Sequence, residues 1–118
     1  MPAYNFKSQF ASAVVSGRKQ QTIRAKRKTP PRVGQLAHCF VGMRTRNCRR
    51  LGSWPICSVN DVEILRHGVV VDGKEFFPIA LDFFAVADGF RHWIEMRDWF
   101  ERVHGLPFRG DLISWRRE

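Results

Sequence analysis

Four residues in one short stretch have the types and spacing to do chemistry. In "SGRKQQTIRAKRK", Ser16 to Lys28, they are Gly17, Lys19, Thr22 and Arg24. A threonine hydroxyl is a weak nucleophile until a base takes its proton. A lysine whose pKa is depressed by desolvation or by neighbouring cations can be that base, and Arg18 and Arg24 flank Lys19. A carboxylate can then protonate a departing amine, and Arg24 can hold a phosphate or an oxyanion. The plainer reading is a solvated basic run, since six of these thirteen residues are Arg or Lys.

Local signals suggest how the four are positioned. Phe6, Phe10, Ala13 and Val14 fall on one face of a helix over "FKSQFASAVVS", with Ser8 as N-cap. Gly17 suits the left-handed residue that stops it, so Lys19 sits in a tight turn. "QTIR" then reads as a short strand. Alternation sends Ile23 to the core and puts Thr22 and Arg24 together on the other face.

The remaining chain reads as a prolyl loop "AKRKTPPRVG", a strand "QLAHCFVGM", an exposed loop "RTRNCRRLGS" and a long strand "WPICSVNDVEILR". "GVVVDGKEFF" is a hairpin turning at Asp72-Gly73 in a type I′ turn. A second helix is expected over "FAVADGFRHWIEMRDWFERVHG", with Asp88 as N-cap and Phe90, Trp93, Ile94, Phe100 and Val103 along its inner side. A strand at Leu112 to Trp115 closes the chain. The order predicts one α+β domain over residues 1–118. It is a small barrel or curled sheet of mostly antiparallel strands, with two main helices.

Charge is distributed one-sidedly. The net charge is +9, and the first acidic residue is Asp61. Twelve basic residues precede it; from Asp61 onward there are eight basic and eleven acidic residues. Such a field fits a polyanionic partner, most simply nucleic acid. Lys26, Arg27 and Lys28 in one loop, with Arg44, Arg46, Arg49 and Arg50 in another, read as phosphate contacts. Trp54, Phe108 and Trp115 are candidate stacking aromatics.

Cys39, Cys48 and Cys57 are widely spaced, form no C-x-x-C and have no histidines at ligand spacing. They read as reduced packing cysteines, and no metal site or cofactor is expected. No apolar run approaches a membrane span, and "MPAYNFKSQFASAVVSG" has no signal-type apolar core, so a cytoplasmic protein without a membrane partner is expected.

Gly17 to Arg24 fits G-x-K-x-x-T-x-R directly after an amphipathic helix. With the strand after "VGQ", the late "DGF" and the final strand ending at Trp115, it resembles the activating-signal-cointegrator homology (ASCH) domain. The resemblance covers nearly the whole chain. It implies a PUA-like β-barrel, a cleft between barrel and helices, and RNA as ligand; on the charge pattern, Arg18, Lys19, Arg24 and the two basic loops are its expected contacts. Small enzymes of that superfamily hydrolyse N4-acetylcytidine with a Lys, a Thr and a Glu. By position these are Lys19 and Thr22, with Asp88 standing where the enzymes carry Glu. RNA or modified-nucleoside binding is the leading expectation, and an amidohydrolase is the alternative. A metal-dependent ribonuclease lacks a carboxylate cluster. A module meeting an acidic protein is a further option. An enzyme requires a closed cleft holding Thr22, Lys19 and an acid within hydrogen-bond reach; a binding module requires a broad basic surface.

Overall fold

The computed structural model describes residues 2–117. In chain order the elements are β1 (Ala3–Phe6), α1 (Ser8–Ser16), β2 (Gln21–Arg24), β3 (Leu36–Val41) and β4 (Arg49–Leu65). After these come β5 (Gly68–Val71), β6 (Lys74–Glu75), α2 (Pro78–Ala87), α3 (Trp93–Val103) and β7 (Phe108–Trp115). The class is α+β, with three helices and a seven-stranded mixed sheet.

The sheet is organised by β4. Its first half pairs antiparallel with β3, and its second half pairs with both β5 and β7. At the outer ends, β1 lies parallel to β3 and β2 lies antiparallel to β7. Among the described residues no ladder joins β1 to β2, so the closed barrel expected from the sequence is not formed by hydrogen-bonded strands. Guanidinium groups occupy that seam. Arg24 Nη2 donates to Asn5 O at 3.0 Å and Arg27 Nη2 to Ala3 O at 2.8 Å. Both arginines also lie over the Tyr4 ring. Side chains thereby satisfy carbonyls that a closing strand would have used.

Several local expectations need correction. Among the described residues there are three helices, not two. The apolar pattern of 84–105 contains a break at Asp88-Gly89, and residues 84–87 belong to α2. Asp88 is the C-cap of α2, and His92 caps α3 by accepting from Glu95 N–H. Ile94 is exposed and Val103 is partly exposed at the cavity described below, while Met96 joins Trp93 and Phe100 in the core. At α1 the N-cap is Lys7, with no side-chain bond from Ser8, and Phe6 belongs to β1. The arginine-rich loop is shorter than expected, because Arg49 and Arg50 already belong to β4. Cys48 and Cys57 are exposed; Cys39 alone packs in the core. Trp115 is buried, which removes it as a stacking platform.

Other features stand as read. Gly17 ends α1 at φ 87°. Gln21–Arg24 is a strand with Ile23 buried. Asp72 and Gly73 both have positive φ, as a type I′ turn requires. No helix among the described residues is long and apolar enough to cross a membrane.

Candidate functional site

The end of α1 starts the site. Gly17 turns the chain back, and Lys19 N–H donates to Ala13 O at 2.9 Å. That bond fixes the lysine backbone under α1 and directs its side chain inward. Lys19 is 3% exposed, and its ammonium lies over the rings of Phe6 and Phe10.

Asp88 meets it from the other side. The last turn of α2 closes with Asp88 N–H on Phe84 O and Phe90 N–H on Ala85 O. Gly89 reverses the chain at φ 95°. A side chain at position 89 would place Cβ 2.9 Å from Lys19 Cδ and 3.1 Å from the Phe10 ring, so glycine is needed there for space as well as conformation. Lys19 Nζ donates to the Asp88 backbone oxygen at 2.6 Å and to Oδ1 at 3.2 Å. Gln21 Nε2 also reaches Oδ1, at 3.4 Å. Asp88 is as buried as Lys19.

Strand alternation supplies the third part. Thr22 and Arg24 share the face opposite Ile23, and Arg24 Nε donates to Thr22 Oγ1 at 2.9 Å. The Arg24 guanidinium is wedged over Phe6 as well as Tyr4. Lys19 Nζ bonds to Asp88 and not to Thr22, so the nucleophile–base contact expected from the sequence is not made in the free protein.

Burial dominates the electrostatics. It pulls the Lys19 ammonium below its ordinary 10.5, against the attraction and hydrogen bond of Asp88. It pushes the Asp88 carboxyl above its ordinary 3.8, against Lys19, Gln21 and Arg24. Each shift is toward the group's neutral form. The Cys39 thiol is pushed up to about 12 by burial and is unreactive.

Lys19, Thr22, Arg24 and Asp88 line one cavity of about 260 Å³. Its far wall is aromatic. Phe10, Phe90, Trp99 and Phe100 meet edge to face or tilted at 5.0–6.4 Å. Burial holds the His104 imidazole below its usual range at the rim. Sequence reasoning assigned Phe10, Phe90 and Phe100 to the core and passed over Trp99, His104, Asn5 and Gln21. Trp99 stands four residues before Val103, which the inner stripe already included, and that i, i+4 pairing was the one available signal.

The basic residues divide. Lys26 is engaged by Asp61 at 2.5 Å and Asp111 at 2.6 Å, and Arg27 is held against β1. Neither stands as a free phosphate contact. Arg18, Lys28, Arg44, Arg46, Arg49 and Arg50 are exposed, and Arg50 donates to Ser53 Oγ. The loop carrying Arg44 and Arg46 is hooked to the cleft, because Met43 N–H donates to Asn5 Oδ1 at 2.9 Å and Asn5 lines the cavity. Comparison with family models, with curated proteins and with solved structures returns no match for this chain.

Proposed function

We propose that the cleft takes the base of a modified nucleoside and hydrolyses an amide on it, N4-acetylcytidine being the type substrate. In this reading the chain is an ASCH-like, PUA-related protein whose barrel is completed across the β1–β2 seam by arginines. The observation that carries it is the Lys19–Asp88 pair: two ionisable groups, both buried, 3.2 Å apart, in a cavity that Thr22 also lines. A solvated binding surface gives no reason to bury either group. A buried pair is also a poor stabilising device, because desolvation offsets its attraction. The cavity is smaller than the roughly 300–1,000 Å³ of drug-sized pockets, which suits one base-sized group with the rest of the ligand outside.

The proton balance closes within the site. With its proton passed to Asp88 within the pair, Lys19 takes the Thr22 hydroxyl proton as Oγ1 attacks the acyl carbon. Arg24 faces the oxygen that gains charge. Asp88, protonated, gives its proton to the leaving amine. Water then attacks the acyl-threonine and passes a proton to the Asp88 carboxylate, while Lys19 returns one to Thr22 Oγ1. The Lys19–Thr22 hydrogen bond forms on ligand binding in this scheme, as catalytic contacts often do. The test is acetate release from N4-acetylcytidine by wild type, Lys19→Ala and Thr22→Ala. Turnover by wild type and loss in both variants is expected. Wild-type protein that binds the nucleoside without cleaving it refutes the catalytic half.

A second reading, RNA binding, rests on a separate observation. The exposed arginines of the 42–50 segment are anchored through Asn5 beside the cleft mouth. An RNA strand whose flipped-out base entered the cavity would lay its phosphates there.

A further inference from the structure

Helix α2 is apolar on two opposite faces, with Asp82 between them. Leu81, Phe84 and Ala85 are buried against the core. On the opposite side Ile79, Phe83 and Val86 recur at i, i+4 and i+7 as one stripe, with Phe77 just before the helix. Their exposures are 82%, 77%, 43% and 78%. A helix apolar on both faces belongs inside a larger assembly.

We propose that this stripe is a homodimer interface, occupied by α2 of a second copy across a two-fold axis. Area is the first argument. With a Phe side chain presenting roughly 150–250 Å², the four residues expose on the order of 500 Å² of apolar surface per protomer, at the top of what a monomer ordinarily shows. Two such faces bring together about 1,000 Å² before any rim is counted, which reaches the threshold for a specific interface. Shape is the second argument. A stripe on one short helix is self-complementary, and i±4 ridges of two copies interdigitate at a crossing angle near −50°.

Charge decides against other occupants. An interfacial lipid-binding helix carries Lys and Arg on its polar face. The only charged residue of α2 is Asp82, exposed on the flank of the stripe with its Oδ1 accepting from Trp93 N–H, and the helix has no basic residue in its last turn. Nucleic acid is disfavoured for the same reason. An uncharged apolar stripe fits a protein surface of the same kind, and a second copy supplies one.

The proposal does not depend on what the cleft binds. Its test is sedimentation equilibrium of the wild-type protein up to about 100 µM, above the micromolar Kd that modest interfaces reach. Twice the 13.8 kDa chain mass is expected. Phe83→Glu should return the mass to one chain with an unchanged circular dichroism spectrum, since the side chain is exposed. Should that variant misfold, Ile79→Lys gives the same readout at the most exposed position. A wild-type chain that stays monomeric over the whole range overturns the proposal. So does a dimer that survives both substitutions.

Discussion

Replacing Asp88 by alanine strands a buried lysine. Lys19 Nζ then loses its bond to Oδ1 but keeps the one to the residue-88 carbonyl, 2.6 Å away in the wild type. Removing one partner of a buried pair costs about 3–5 kcal/mol, and the retained carbonyl places this case near 3. The lysine can also escape by losing its proton. From an ordinary pKa of 10.5 that costs about 5 kcal/mol at pH 7, which caps the penalty. For a domain of this size 3 kcal/mol corresponds to about a 12 °C fall in Tm. The double variant Lys19→Met/Asp88→Leu removes both charges and keeps most of the volume, so it should regain most of the loss. Thermal unfolding of wild type, Asp88→Ala and the double variant measures this, and acetate release runs alongside. The double variant should be stable and inactive, which separates a strut from a catalytic pair. Asp88→Ala with wild-type Tm would refute the dry, coupled site. A double variant that still turns over acetylcytidine would refute the catalytic role.

Three further outcomes are expected. Thr22→Ala and Lys19→Ala should each abolish turnover, and their double variant should be no worse than either, because residues acting as one unit are non-additive. Replacing Arg44, Arg46, Arg49 and Arg50 with Ala should flatten the slope of log K against log salt for single-stranded RNA by up to about 3, at roughly 0.7 per phosphate contact; Lys26→Ala, already paired to two carboxylates, should leave the slope unchanged. Lys19 has a folded-state pKa below its unfolded value, so its contribution to stability is present above about 10.5 and is lost as pH falls through the lowered value. The stability of wild type relative to Lys19→Met, read by denaturant melts, should therefore rise as pH approaches 10.5, and a flat difference would count against the shift.

What the chain reveals before folding is what its neighbours in sequence decide. Gly17 stops α1, Asp72-Gly73 turns a hairpin, and Gln21–Arg24 alternates correctly, because each depends on φ or on period alone. The misreadings share a long-range cause. β1 has four residues and exists only through parallel pairing with β3, more than thirty positions away. The α2–α3 break was hidden because the outer face of α2 is apolar, so the pattern ran on through Asp88-Gly89. Lys19 reads either as a buried base or as one more solvated charge, and what decides is a partner 69 residues later. Lys26 looked free and is paired with Asp61 and Asp111 from β4 and β7. Gly52 fell within the expected loop "RTRNCRRLGS", yet it leaves room for the Trp54 ring within a continuing strand.

The open seam and the cleft are one feature. Paired strands lie about 4.8 Å apart, which leaves no room for a side chain between them. A ladder between β1 and β2 would consume the carbonyls of Ala3 and Asn5 and shut the gap where Asn5, Phe6, Thr22 and Arg24 now border the cavity. Arginine satisfies those carbonyls at side-chain length instead. Arg24 does so while also donating to Thr22 Oγ1, so the group that bridges the sheet orients the candidate nucleophile. Lysine could not replace it there. A single ammonium is a point charge, whereas the planar fork reaches two acceptors at fixed angles and lies over Phe6 and Tyr4. The same Asn5 holds Met43 N–H through its side chain, which ties the arginine loop to the seam. Sheet edge, nucleophile and basic loop are thus held by one short chain of hydrogen bonds from Thr22 through Arg24 and Asn5 to Met43.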